Sequence, residues 1–455
     1  MKGALSRSTA TTAPIVLIVV LLFSAGAQAR LKFPPAQTLS EGGSPQVAVD
    51  SQDRATIAFQ LSGIRSVRLG ADGAPEGVKD LASNGMDTFL PPQLAVDPQG
   101  RATVVWELDT IIGSDSDCFV ATAPTCVQAI RLDAAATLGP VRTLSRFDTP
   151  ERDPDLGGLG SRPQVAVDPQ GRATVVWRRV EFTASGADSS IESARIGADG
   201  AVADVQTLSE VGAVEPEVAV DPLGRATVVW SRFDGTAQRI EAVRLGADGV
   251  PGAVETLSKR RQDTETPQVA VDPRGRATVV WRRADRAKRR IQSVRLGAEG
   301  DAGKVKTLSK GADSPQVAVD DRGRATVVWR RIKKTKRALV LRVQSVRLGT
   351  GGGSKPKTLS KPRAFDPQVA VDDRGRATVV WERLILGSRP AISRIEARRL
   401  RADGDFGRVQ TLAKGEGVVS PQVAVDSMGR PTVVWGVSDL SVGALIQATR
   451  GTIGG

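Results

Sequence analysis

Pro267-Gln-Val-Ala-Val-Asp-Pro-Arg-Gly-Arg-Ala-Thr-Val-Val-Trp281 recurs almost letter for letter along the chain. Eight copies begin at Pro45, Pro92, Pro163, Pro216, Pro267, Pro315, Pro367 and Pro421. Each closes on a tryptophan (Trp106, Trp177, Trp230, Trp281, Trp329, Trp381, Trp435) except the first, which closes on Phe59. All seven tryptophans of the protein occupy this one position. Within a copy, Gln-Val-Ala-Val and Ala-Thr-Val-Val-Trp are apolar runs rich in β-branched residues, too short for helices and suited to strands. Between them stands Asp-Pro-x-Gly in four copies (97–100, 168–171, 221–224, 272–275), the residue order of a type I turn. Each copy is therefore a hairpin of two strands, A and B.

Two further segments complete the unit. Ile291-Gln-Ser-Val-Arg-Leu296 alternates apolar and polar residues, as a strand with one wetter face does. A tight-turn signal such as Gly-Ala-Asp-Gly (197–200, 246–249) follows, then a short segment such as Val254-Glu-Thr-Leu-Ser258. These are strands C and D. A period near 50 residues built of four short strands is the pattern of a β-propeller blade. A sheet apolar on both faces needs cover on both, and a ring of blades supplies it. The first repeat is preceded by a lone D-type segment, Gln37-Thr-Leu-Ser40, and the last stops after strand C, Ile446-Gln-Ala-Thr-Arg450. The expectation is an all-β, single eight-bladed propeller of four-stranded antiparallel blades over 30–455, closed by the N-terminal strand so that no edge stays open. An open stack would need capping repeats, and none is visible.

Residues 1–29 read as a secretory signal: Lys2 and Arg7, an apolar run from Pro14 to Phe23, and Ala27-Gln-Ala29 as a small-x-small cleavage site. The run is shorter than the roughly 20 residues of a membrane span, so the rest is expected to be secreted or held in the cell envelope, with no span once the signal is removed. Cys118 and Cys126 lie in one loop and, in an exported chain, are expected to form a disulfide. The chain has no His and no Tyr. That excludes Ser-His-Asp and Cys-His catalysis and histidine metal sites; any enzyme must work with carboxylates, Lys, Arg or Ser.

The Asp that ends strand A, the Arg that opens strand B and the Trp that ends B occur in nearly every blade. They are expected to be building parts: a capped turn, its ion pair and inter-blade packing. The A–B turns have one length and the C–D turns are mostly alike, whereas the B–C loops run from 4 to 20 residues and the D–A loops from 4 to 17. Both variable sets lie on one face, which is expected to be the working face. Two features break the symmetry there. Arg282, Arg283, Arg289 and Arg290 of one B–C loop, with Arg330, Arg331, Lys333, Lys334, Lys336 and Arg337 of the next, form a basic patch suited to a polyanion. No aromatic is interleaved, so reading of nucleic acid by sequence is not expected. The loops 107–126 and 146–162 are acidic. Asp115, Asp117, Asp153 and Asp155 are candidates for Ca²⁺, and the same loops are candidates for carboxylate acid–base chemistry. No other cofactor is implied.

The phrase Val-Ala-Val-Asp-Pro-x-Gly-Arg-Ala-Thr-Val-Val-Trp resembles the repeat of exported bacterial propeller proteins, most without assigned function. It is also similar to the Asp-box of sialidases, but Asp and Gly are two residues apart rather than one, and the resemblance would imply a Tyr nucleophile that the chain lacks. The leading expectation is thus an exported, non-catalytic module that engages an acidic cell-surface polymer, an anionic glycan or a protein partner through the basic patch. The alternative is a carboxylate-based glycan hydrolase or lyase sited in the acidic loops of blades 2 and 3.

Overall fold

A computed structural model describes residues 30–454, apart from 83–89, 110–124, 146–157, 184–185, 286–287, 337, 350–351, 386–390 and 440–442. The repeats fold as eight antiparallel blades of four strands, one of which carries an extra two-residue strand, Gly352–Gly353. Among the described residues there is no helix. Blade 4 is representative: strand A is Ala213–Val220, B is Ala226–Phe233, C is Gln238–Leu245 and D is Glu255–Thr256, paired in that order. The A strands of successive blades touch one another, so they line the centre of the ring.

Closure follows the expectation. Gln37–Glu41 pairs with Gly443–Arg450 and supplies the D strand of blade 8. A second clasp lies beyond it, where Arg30–Lys32 pairs antiparallel with Thr452–Gly454.

The core is a set of slabs between neighbouring blades. Trp281, Val279 and Ala277 of blade 5 pack against Val229, Ile240 and Leu257 of blade 4. At the closing junction Phe59 and Ile57 of blade 1 meet Val434 and Ile446 of blade 8. Every repeat tryptophan is at most 1 % exposed. The indole N–H keeps a polar partner in most blades. Trp230 Nε1 donates to Glu241 Oε2 at 3.0 Å, and Arg232 holds the same carboxylate at 2.8 Å. Trp381, Glu396 and Arg383 repeat the arrangement in blade 7. These buried glutamates are therefore paired and hydrogen-bonded, as buried charges must be.

The Asp-x-x-Gly-Arg turn is a second fixed unit. In all eight blades one oxygen of the Asp accepts the backbone N–H of the Arg at 2.6–3.0 Å. The other oxygen accepts Arg Nε at 2.5–2.8 Å. The eight aspartates are at most 5 % exposed. Gly275 of this turn takes φ 78°, and a Cβ there would collide with the Arg225 guanidinium of the preceding blade. In blade 1 the glycine position is filled by Asp53 at φ 63°, whose carboxylate accepts from Arg430 of blade 8 at 3.1 Å.

Trp281→Ala is expected to destabilise the ring by about 3–5 kcal/mol, the cost of an unfilled cavity between two blades. The shift in the denaturant midpoint measures it, and a change below about 1 kcal/mol would be incompatible with the slab packing described.

Candidate active site

Strand A enters each blade through an x-Pro step, and that step is a bulge. In seven blades the A–B register slips between the residue two before the proline and the residue after it. The residue before proline is left-handed in the same seven: Ser44, Arg162, Glu215, Thr266, Ser314, Asp366 and Ser420, with φ from 43° to 57°. None is glycine, so each carries a small conformational strain. A bulge of this kind re-aims a side chain. Here it sets one side chain in each of those seven blades at the mouth of the central channel, on the face of the B–C and D–A loops.

The residue after proline is Gln in seven blades (Gln46, Gln93, Gln164, Gln268, Gln316, Gln368, Gln422) and Glu217 in blade 4. Gln268 Nε2 of blade 5 donates to Glu217 Oε1 at 2.7 Å, and Thr266 N donates to Glu215 Oε2 at 2.8 Å. Burial pushes the Glu217 carboxyl up to about 8; the Gln268 amide opposes the shift and the Glu215 charge adds to it. A cavity of about 280 Å³ opens at this point, lined by Gln93, Arg162, Gln164, Glu215, Glu217 and Gln268 among others from blades 2 to 5. Arg162 is exposed, and its backbone N–H donates to Glu107 Oε2 at 3.1 Å. The half-buried Arg178 beside it is shifted down by burial and by the charge of Arg162. The mouth between blades 2 and 5 thus holds an acid raised towards neutrality, a second carboxylate and the Arg162 guanidinium. The same face holds one more raised acid, Glu382 of blade 7, lifted by burial against a 2.7 Å bond from Ser393 Oγ and with Asp366 nearby.

The basic loops are largely engaged within the protein. Arg282 pairs with Glu265. Asp313 accepts from Arg330 at 2.7 Å and from Arg289 at 2.8 Å, which joins the loops of blades 5 and 6 as the spacing predicts. Arg331 donates to the carbonyls of Gly311 and Ile332 at 2.7 and 2.6 Å. Arg283 and Arg290 lie on the same hairpin. Lys333, Lys334 and Lys336 are exposed, and Arg337 lies outside the described residues. So do Asp115, Asp117, Asp153, Asp155 and Cys118; Cys126 is 1 % exposed in the core between blades 1 and 2. Among the described residues no group of three or more metal-ligating side chains comes together.

No protein-family model and no curated protein matches the chain. Solved structures do. A polysaccharide lyase of the ulvan lyase type, bound to -[GlcA(1-4)Rha3S]-, aligns with 93 % of this chain and 96 % of its own at 9 % identity and a TM-score of 0.51. A puromycin hydrolase aligns with 88 % of this chain at 17 % identity and a TM-score of 0.49, and this chain spans 59 % of that one. At such identities the likeness concerns the fold. It nevertheless corrects the expectation of a non-catalytic module, because a ring of this fold serves a lyase.

Glu217 takes up a proton on folding, because its folded pKa lies above that of the unfolded chain. Its contribution to stability is present below the ordinary glutamate range, declines as the pH rises, and is gone above about 8. Glu217→Gln, which restores the residue of the other seven blades, is expected to flatten that decline and to stabilise the protein by about 2 kcal/mol at alkaline pH. Unfolding midpoints from pH 4 to pH 9 for the two proteins test this; parallel curves would refute the raised acid.

Proposed function

We propose that the chain is a glycan-cleaving enzyme whose reaction centre is the channel mouth between blades 2 and 5. One observation carries the reading: the only acid at an otherwise glutamine position, Glu217, is held near neutral pKa inside a cavity that also contains a cation. A group that titrates near the working pH is suited to proton transfer. Arg162 supplies charge for a uronate carboxylate. With that carboxylate neutralised, the proton on the adjacent ring carbon becomes acidic enough for ionised Glu217 to remove. The electron pair then expels the glycosidic oxygen on the next carbon, which leaves as an alcohol after protonation, and a double bond remains in the sugar. The ulvan lyase that shares the fold was solved with a glucuronate-containing chain, in keeping with this chemistry. An extracellular polymer also suits the exported, repeat-built character of the sequence and the signal expected over 1–29.

The pairing of Glu215 with Glu217 supports hydrolysis as a second reading, since two carboxylates beside one bond are what glycoside hydrolysis uses. Incubation with a panel of uronate polymers, ulvan among them, separates the two. Elimination gives ultraviolet absorbance from the unsaturated product, whereas hydrolysis gives reducing ends without it. Glu217→Gln is expected to lower kcat by about a hundredfold or more. Full activity in that variant, or no cleavage of any polymer, would overturn the reading.

A further inference from the structure

The opposite face of the ring, built from A–B and C–D turns, holds one junction unlike the others. In seven blades an arginine near the end of strand C donates to the backbone carbonyl at the glycine position of the next blade's A–B turn. Arg68 reaches Gly100 at 2.9 Å, Arg244 reaches Gly275 at 2.8 Å and Arg399 reaches Gly429 at 2.5 Å. Arg195, Arg295, Arg347 and Arg450 reach Gly224, Gly323, Gly375 and Asp53. Arg131 of blade 2 does not make this bond. Its Nη1 donates to Gly197 of the C–D turn at 3.1 Å, and its Nη2 is buried without a hydrogen-bond partner.

A cavity of about 260 Å³ opens where that bond is missing, between blades 2 and 3. Its lining combines apolar groups (Leu138, Pro140, Ile196) with three guanidinium groups (Arg101, Arg131, Arg142). Asp133 and Asp199 line the cavity as well, each with one carboxylate oxygen held by backbone N–H groups of its own turn. Asp97 holds Arg101 at 2.5 Å, Asp133 accepts the N–H groups of Ala135 and Thr137 at 2.8 and 2.7 Å, and Asp199 accepts that of Ala201 at 3.0 Å. The C–D turn that shapes the cavity is itself aberrant. It reads Asp133-Ala-Ala-Ala-Thr137, and Ala136 stands at φ 59° where blades 1, 3, 4, 5 and 7 place a glycine. A repeat that keeps this glycine in five blades and the arginine bridge in seven has given up both at one junction, where a recess opens beside the unpartnered Arg131 Nη2.

We propose that this recess binds a small organic carboxylate, its charge on the Arg131 fork and its apolar body against Leu138 and Ile196. A planar guanidinium matches a planar carboxylate in two parallel hydrogen bonds, and the recess is near the lower end of the size of ligand pockets. The site is separate from the channel mouth and stands whether or not the mouth is catalytic. Benzoate is a suitable probe, with benzyl alcohol as the uncharged match, in calorimetric titration of the whole protein. Benzoate is expected to bind saturably and benzyl alcohol at least tenfold more weakly. Arg131→Met should abolish benzoate binding, and Leu138→Trp should do so by filling the recess while leaving the arginine in place. Arg244→Met, the equivalent change in blade 4, should leave binding intact. Absence of saturable benzoate binding, equal binding of the alcohol, or retained binding in Arg131→Met would overturn the proposal.

Discussion

A blade with apolar side chains on both faces cannot stand alone in water, and that constraint organises the whole molecule. Val279 and Trp281 bury against the preceding blade, while Val280 and Ile291 bury against the following one. Each blade therefore depends on two neighbours, and only a closed ring gives every blade both. The tryptophan suits this position because its ring fills the slab while, in five of the seven, its N–H is answered within the same blade by Glu or Gln from strand C. The charged residues follow from the same geometry. The Asp of the A–B turn is buried at the junction and is paired with a half-buried Arg, and its other oxygen accepts from the backbone.

A scaffold so repetitive isolates its own exceptions. In seven blades the bulge before the proline presents one left-handed residue to the channel mouth, and the scaffold tolerates Ser, Arg, Glu, Thr or Asp there. The fold needs the bulge; it does not specify the side chain. Chemistry can be placed at this ring of positions without disturbing the slabs beneath. Blade 4 uses that freedom twice, with Glu215 at the left-handed position and Glu217 two residues on.

The architecture was legible in the sequence because each strand is short, β-branched and bounded by turn chemistry, and because eight copies agree. Blade number, strand order and closure by Gln37–Glu41 all follow from that agreement. The second clasp, Arg30–Lys32 with Thr452–Gly454, was not legible, since three-residue pairings carry no periodicity. Glu217 stands out in the sequence in a different way. Long loops and charge runs mark Arg282 and Arg330, which pair with Glu265 and Asp313, whereas Glu217 is one altered letter in a regular repeat. Glu217 in place of Gln was visible in the alignment of the copies with one another. What the sequence could not show was burial beside Gln268, which turns an ordinary carboxylate into one that titrates near neutrality.

Blade 8 is assembled from both ends of the chain. Thr38 and Gln447, which meet there, are 409 residues apart. Until the last strands exist, the strand at Gln37–Glu41 has no partner and blade 1 has one bare face. Every other blade can pack as soon as its successor is complete. The final step therefore carries nearly the whole chain as its closing loop, an entropic cost that grows only slowly with length but a search that is slow for non-local strands. During that interval the incomplete arc exposes a pairing edge at each end. Joining its own two ends removes both edges in one event, so the ring acquires its full stability as a unit rather than blade by blade.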